Sequence, residues 1–363
     1  MGIILRSLIF LKLLIFFFDK ITLKKINMKK LLLIFSFSLL ALAAFSVTLS
    51  EKVKELENAA ENGDAEAMYH LSTLYEHGFD SIPADSAKAS HLLRRSAAAG
   101  YAPAQNYLGF SIYPAEKDSA IYWLSKAADQ GEMKAVSNLA YILLEPSSPL
   151  DSLNQEERDR KAAGLLRKAA DAGVVPAKAT LADLYKEGRG VEKDTIQAEY
   201  LYLEAIRSGL QDAEMKLLDM NASRYQTLSP DSALNEGLRA SKSGAFTVAF
   251  NLYSKALEDS VNNARVHTLL ADAYSSAKGV DYNHEKALRH YALGAFGGDP
   301  SARFILAELL EIFPDALNGM LADANQFLPA ASPEELTSPT YWYSLAADSG
   351  ITSAREAFRR LFE

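Results

Sequence analysis

The sequence predicts an all-α solenoid, a stack of antiparallel helix pairs, and three observations carry that expectation. First, seven glycines, Gly63, Gly100, Gly131, Gly173, Gly209, Gly298 and Gly350, are each followed four residues later by an alanine. Alanine is 56 of 363 residues, so seven hits at one offset would arise by chance on the order of once in 10⁵–10⁶ registers. Second, Ala59, Ala127, Ala169, Ala205 and Ala346 lie four residues before their glycine, and Ala89, Ala120, Ala162, Ala198 and Ala287 lie eleven before. Third, the apolar residues between glycines recur at helical spacing. The glycines stand 31 to 42 residues apart, with two wider gaps of 89 and 52. A period of that size means supersecondary units that bury their apolar faces only by stacking.

Taken in order, residues 1–27 are dominated by Ile, Leu, Phe and Lys and read as an upstream extension translated ahead of a true start at Met28. A first membrane helix over residues 3–18 would be short of the roughly 20 residues a span needs. Residues 28–46, MKKLLLIFSFSLLALAAFS, have two lysines, an apolar run and small residues at Ala44 and Ser46. That is the pattern of a secretory signal cleaved after Ser46, with an uncleaved anchor as the alternative. The repeat domain then occupies 47–363.

Its first unit opens with Ala67, Leu71, Leu74 and Tyr75 and closes over 87–98. Ala104 and Leu108 open the next, which AIYWLSKAADQG at 120–131 closes. Ala135, Leu139 and Leu143 precede EPSSPLDSLNQEERD, expected as a polar loop, and KAAGLLRKAADAG at 161–173 follows. The clearest unit runs from Ala177 to Gly209. Its first helix places Ala177, Leu181, Leu184 and Tyr185 on one face; Gly188 and Gly190 break it; Asp194 or Thr195 caps the second helix. There Ala198, Leu201, Tyr202 and Ala205 form the buried stripe, and Gly209 ends it. Small alanines let helices approach while Leu and Tyr fill the space between. Residues 278–298 and 341–350 repeat the second-helix pattern, and four prolines mark 312–340 as an insertion or long loop.

The pattern G-x-G-V, an acidic position, then K-A, an aromatic and K-A-A-x-x-G is nearly complete over Gly188–Gly209 and partial over Gly279–Gly298. In this the chain resembles the Sel-one-like repeat (SLR) proteins, relatives of the tetratricopeptide repeats. Residues 244–258, with Gly244, Ala249, Tyr253 and Ala256, resemble the tetratricopeptide version instead, so one such unit is expected near 230–263. The resemblance implies a right-handed superhelix, and it implies a scaffold whose partner lies along the inner surface lined by first helices. By analogy with tetratricopeptide groove positions, the candidates in the first unit are Tyr69, Thr73, Glu76 and His77, followed by Asn106 and Phe110. Further along come Lys134 and Tyr141, then Asp183, Lys186 and Glu187, and finally Asp272, Phe304 and Glu308. Acidic groups mixed with aromatics suit a basic or amphipathic protein or peptide.

Charge and chemistry narrow the function. Beyond residue 46 there are 31 basic and 45 acidic residues, a net charge of −14, which disfavours nucleic acid and anionic lipid as partners. Cysteine is absent, so disulfides, thiolate metal sites and cysteine nucleophiles are excluded. Gly188-Arg189-Gly190 lacks the spacing and the preceding strand of a phosphate loop. His70 and His77 are seven apart, where metal ligation on a helix wants four, and read as a solvated pair. His290 fills the slot of Trp123 and Trp342 and reads as packing. Glu156/Glu157 and Glu334/Glu335 read as acids on polar loops, and the sequon at Asn221 matters only in a eukaryotic secretory setting. No catalytic, cofactor or metal site is therefore expected. The expected protein is a monomeric, exported, bacterial adaptor in the periplasm or outside the cell. An anchored component of an envelope secretion or polysaccharide-export assembly is the alternative, and a cell-wall hydrolase is a weaker one.

Overall fold

The computed structural model describes residues 51–78, 82–146, 154–258, 262–317, 328 and 331–361; the upstream extension and the signal fall outside them. The described residues contain helices and no β-strand, as the all-α solenoid reading requires. The chain forms two compact units, divided between Ile112 and Tyr113.

In the first unit residues 51–61 are helical, followed by α1 (Ala65–His77), α2 (Ser86–Ala98) and α3 (Ala102–Ile112). Ala60, Ala67, Leu71, Tyr75, Ala89 and Leu92 form its core. The second unit begins with α4 (Lys117–Asp129), α5 (Met133–Leu144), α6 (Gln155–Asp171), α7 (Val175–Glu187), α8 (Thr195–Arg207) and α9 (Asp212–Gln226). It continues with α10 (Pro230–Lys242), α11 (Phe246–Glu258), α12 (Ala264–Ser276), α13 (His284–Phe296), α14 (Pro300–Ile312), α15 (Pro333–Leu336), α16 (Pro339–Asp348) and α17 (Thr352–Arg360). Consecutive helices pack as pairs: α5 on α6, α7 on α8, α10 on α11, α12 on α13, and α14 on α16. One continuous core runs from Ala140 to Leu270, and a second, around Trp342, Tyr343, Leu306 and Leu310, serves the last helices.

The repeated glycine closes each second helix by the same hydrogen bond. Gly100, Gly173 and Gly209 sit at φ 98°, 88° and 92°, in the left-handed region that glycine reaches without steric cost. The next amide then donates five residues back, from Tyr101 to the Ser96 carbonyl, Val174 to Ala169, and Leu210 to Ala205. This is the long bond of a Schellman motif. Among the described residues the same bond follows the other repeated glycines, from Asp64, Glu132, Asp299 and Ile351 to Ala59, Ala127, Gly294 and Ala346, and follows Gly244, from Ala245 to Ala240. At these second-helix ends every acceptor residue is small. The alanine four after each glycine is buried without exception, at 4% exposure for Ala67 and 0% for Ala104, Ala135, Ala177, Ala213, Ala302 and Ala354. In three repeats the residue after that alanine caps the turn: Gln105, Arg303 and Arg355 donate to the carbonyls of Ala97, Ala295 and Ala347. These carbonyls are among those a helix end leaves without an intrahelical partner.

The turn inside a repeat obeys a different constraint. A Cβ on Gly190 would lie 2.2 Å from the carbonyl carbon and oxygen of Asp159 on α6, and one on Gly279 would lie 2.1 Å from the Phe246 carbonyl oxygen on α11. Each turn is thus pressed on the second helix of the preceding pair. Gly188 and Ala277 begin these turns, both left-handed.

Within 230–263, α10 packs against α11. Gly237, in the middle of α10, gives the Tyr253 ring room: a Cβ there would lie 2.6 Å from it. Two expectations need correction. Glu156 and Glu157 belong to the first turn of α6, where Asn154 and Glu157 form a capping box, so QEERD is helical rather than loop. Glu334 and Glu335 likewise start α15, with Ser332 and Glu335 as the box. Within 312–340, Leu317 and Leu336 are fully buried in the Trp342 core, while 318–327 and 329–330 lie outside the described residues.

Candidate partner-binding surface

The tenth residue after each glycine falls on the first helix of a repeat, opposite the buried alanine face. Its occupants are Thr73, Phe110, Tyr141, Asp183, Asp219, Glu308 and Arg360, and Asp272 holds the matching place in its own repeat. None of them is fully buried. Chemical variety at this register contrasts with unbroken alanine at the fourth position, where close helix approach admits only a small residue.

In the first unit, the Tyr69 ring on α1 lies tilted to that of Tyr101 and edge-on to that of Tyr107, at ring separations of 5.5 and 6.3 Å. The Tyr107 hydroxyl donates to Glu76 at 2.7 Å. That bond, together with burial, raises the Tyr107 hydroxyl to about 12, so it stays a donor throughout the physiological range. Thr73 spends its hydroxyl on the His70 carbonyl, and the exposed His77 ring turns to the Thr73 carbonyl. His70 is exposed beside Glu66. Asn106 is half-buried on α3, and Phe110 stands 63% exposed near that helix's end. Tyr69 and Glu76 are therefore brought together, through Tyr107 and Tyr101, which the sequence did not single out.

In the second unit the predicted residues cross-link neighbouring helices. Tyr141 on α5 bonds Thr180 on α7 at 2.6 Å. Asp183 on α7 accepts from Tyr202 of α8 and from Lys216 of α9, each at 2.6 Å. Lys186 faces Asp219 of α9 at 3.8 Å, and Glu187 faces Arg189 at 3.7 Å. Asp272 on α12 accepts from Tyr291 of α13 at 2.7 Å. Burial and these carboxylates push the Tyr202 and Tyr291 hydroxyls well above the usual tyrosine range. Phe304 is half-buried against Tyr343, 5.8 Å between rings, and so faces the fold more than solvent. Lys134 and Glu308 are exposed. Asp183, Asp272 and Phe304 thus have structural partners that sequence reasoning missed. The shared signal was visible, since Asp183/Tyr202 and Asp272/Tyr291 are both 19 residues apart.

His290 is half-buried as expected of a packing residue, but it pairs with His267, an unforeseen partner. The Asn221 side chain is 8% exposed and held near Glu199 and Arg224. Among the described residues, no three His, Asp or Glu side chains gather as a metal would need. No helix among them is long and apolar enough to cross a membrane.

Comparison with known proteins places these observations. The Sel1 repeat matches residues 65–101, 102–132, 135–174, 176–210, 265–299 and 340–351, just over half the chain. An uncharacterized protein of Neisseria meningitidis serogroup B is 32% identical over 178 residues, covering 49% of this chain and 34% of that protein. Chitin synthase regulatory factor 3 of Schizosaccharomyces pombe is 30% identical over 193 residues, covering 49% of this chain and 20% of that protein. The chain therefore spans about a third of the first of these relatives and a fifth of the second. A protective antigen of uropathogenic Escherichia coli with an SLR fold aligns over 85% of this chain and 67% of its own, at 22% identity and TM-score 0.39. A Sel1 repeat protein of Oxalobacter formigenes aligns over 86% and 81%, at 25% identity and TM-score 0.36.

Proposed function

Because the chain belongs to the Sel1 repeat family, whose repeats commonly mediate protein–protein interaction and are generally non-catalytic, we propose that it is a non-enzymatic adaptor exported to the cell envelope. It binds a basic or amphipathic protein or peptide on its first helices and works as a monomer. The observation that carries this reading is the open register of the second unit. There Asp183, Asp219, Asp272 and Glu308 succeed one another on α7, α9, α12 and α14; Asp183 and Asp272 also accept from Tyr202 and Tyr291 of the paired helices, while Asp219 and Glu308 are exposed. Glu187, exposed at the end of α7, adds to the same acidic character. A row of carboxylates attracts cationic segments and repels anionic ones, in a salt-dependent way. Export rests on the signal-like residues 28–46.

The test uses residues 47–363 and a set of labelled peptides: basic amphipathic, scrambled, and charge-inverted. Expected is binding of the basic amphipathic set alone, weakened at least about tenfold by the triple reversal Glu187→Lys, Asp272→Lys, Glu308→Lys. Equal binding of inverted peptides, or no loss in the triple variant, would overturn the proposal. Terminal sequencing of the protein recovered from its source should begin at Val47; a chain that begins at Met28 and sediments with membranes would favour the anchored alternative.

A further inference from the structure

Matching residues of the repeats at 176–210 and 265–299 lie 89 apart, and the two repeats treat the same carboxylates in opposite ways. In the first, Asp183 on α7 accepts from Tyr202 and from Lys216 of α9, each at 2.6 Å, and Asp219 of α9 faces Lys186 of α7 at 3.8 Å. Two acids and two lysines thus make a neutral, crosswise square between neighbouring first helices. In the second repeat the acids remain, as Asp272 on α12 and Glu308 on α14. The lysines do not: Ser275 stands in the place of Lys186, and Ile305 in that of Lys216.

Among the described residues Asp272 keeps the Tyr291 hydroxyl at 2.7 Å but has no ion pair, and Glu308 has none either. Both are exposed. Ser275 turns its hydroxyl to the Asp272 carbonyl and the Tyr291 hydroxyl, while Ile305 and Leu309 pack against the cluster that holds Tyr291. Two uncompensated carboxylates therefore stand where the first repeat is neutral, and they attract cations in a salt-dependent way. The last helices show how such a carboxylate is filled: Glu311 on α14 accepts from Tyr343 and, at 2.7 and 2.8 Å, from Arg360 of α17. One turn beyond Glu308, on the same side of α14, Ile312 is 63% exposed where the first repeat has Ser223. An apolar foothold thus adjoins the acids.

We infer that Asp272 and Glu308 form a two-pronged receptor for a pair of basic side chains on a partner protein or peptide, which take the places that Lys216 and Lys186 fill in the first repeat. Within the adaptor reading above, on which this site depends, the partner's charge is read at α12 and α14, because Asp183 and Asp219 are already neutralised by the chain's own lysines. Asp183 and Lys186 are three positions apart on α7, so the two prongs are offset by about one helical turn, about 5 Å along the helix. Lysines or arginines one turn apart on an amphipathic helix present that spacing. Their aliphatic stems lie along Ile305 and Leu309 while the charged heads reach the carboxylates, and an apolar neighbour on the same helix covers Ile312.

The test is a calorimetric titration of the full chain with an amphipathic helical peptide that carries two lysines one turn apart, and with its glutamine counterpart. Ser275→Lys together with Ile305→Lys rebuilds the neutral square of the first repeat. It should weaken the lysine peptide at least about tenfold, to the level of the glutamine peptide. Ser275 is exposed, so Ser275→Lys alone leaves the core in place and should give a several-fold loss. The reciprocal pair, Lys186→Ser with Lys216→Ile, frees Asp183 and Asp219 and should add a second binding event per chain. Undiminished binding in the Ser275 and Ile305 variants, or a single event in the reciprocal variant, would overturn the two-pronged receptor while the adaptor reading stands, provided the lysine peptide binds the wild type. If the lysine peptide fails to bind the wild-type chain, both fall.

Discussion

The repeats at 176–210 and 265–299 align without a gap, LADLY at 181–185 on LADAY at 270–274, and GRGV at 188–191 on AKGV at 277–280. What they share is mechanical: the Tyr202–Asp183 and Tyr291–Asp272 bonds, the turn pressed on the preceding helix, and the second-helix N-cap amide, Asp194 or Asn283, returned to the carbonyl of Tyr185 or Tyr274. What differs lies around these fixed points. Lys178 pairs with Glu204 at 3.3 Å in one repeat, where His267 reaches His290 in the other. Arg189 grips buried Asp159 through two nitrogens, where Lys278 rests 5.2 Å over the Phe246 ring. The constant set holds helix to helix, and the variable set gives each repeat its own chemistry and stability.

The sharpest way to break this comparison is to add one methyl group. Gly190→Ala and Gly279→Ala each force a Cβ into backbone about 2 Å away, and we expect a loss of about 3 kcal/mol or more apiece. Gly209→Ala meets nothing within 4 Å and should cost about 1–2 kcal/mol through its φ alone. Backbone angle by itself argues the reverse order, since φ 64° at Gly190 is nearer the left-handed minimum than φ 92° at Gly209. Urea midpoints of the three variants decide between close approach and angle; a Gly190 variant no weaker than the Gly209 variant would mean the turn lifts off α6 freely.

The next effect separates the two clamps beneath those turns. Asp159 is 6% exposed and accepts both Arg189 and Gln155. Arg189 is partly solvated, which limits the penalty of leaving it without its acid, so Asp159→Ala should cost about 2 kcal/mol. Lys278→Ala removes only an exposed cation–π contact, about 0.5 kcal/mol. Equal midpoints for the two variants would show that the Asp159 clamp adds nothing.

These features were unevenly legible in the sequence. Glycine turns and the alanine four residues on were visible because a left-handed φ and a close helix approach each admit very few residue types. The Asp194 cap was readable for the same reason. Glu157 was misread as a loop acid although Asn154-x-x-Glu157 was there to be recognised, because neighbouring prolines and serines favoured a loop. His267 had no repeating signal. Its register is held by Met68, Gln105, Val136, Lys178, Glu214, Arg303 and Arg355 in other repeats, and its meaning comes from the helix packed against it. The candidate surface was legible as a register, whereas the engagement of Asp183 by Lys216 depends on a helix spacing that no local pattern encodes. Glu214 shows the same limit: buried at 7%, it accepts the Thr247 amide at the start of α11, 33 residues away.

A smaller effect tests the shared bonds. Tyr202→Phe and Tyr291→Phe each delete one hydroxyl donor to a carboxylate, and about 1 kcal/mol is expected from either. Asp183 keeps Lys216, and Asp272 is exposed enough to take water instead. Thermal midpoints should therefore fall alike; a several-fold larger loss at Tyr291 would show that this hydroxyl also holds α13 on α12.

The smallest expected effect has the opposite sign. Ala277 sits at φ 53° and ψ 38°, where the matching residue of the sister repeat is Gly188 at φ 75°. A Cβ in the left-handed region costs about 1 kcal/mol or somewhat more, and glycine removes that cost while adding freedom to the unfolded chain. The second term is the smaller here, so Ala277→Gly should stabilise the protein by about 0.5 kcal/mol, read as a higher urea midpoint. Gly188→Ala should lose a comparable amount, with some addition from the Lys193 Cβ only 3.2 Å from the new methyl. If both exchanges destabilise, the two turns are not the interchangeable fixtures their aligned residues make them, and the comparison fails at its most local point.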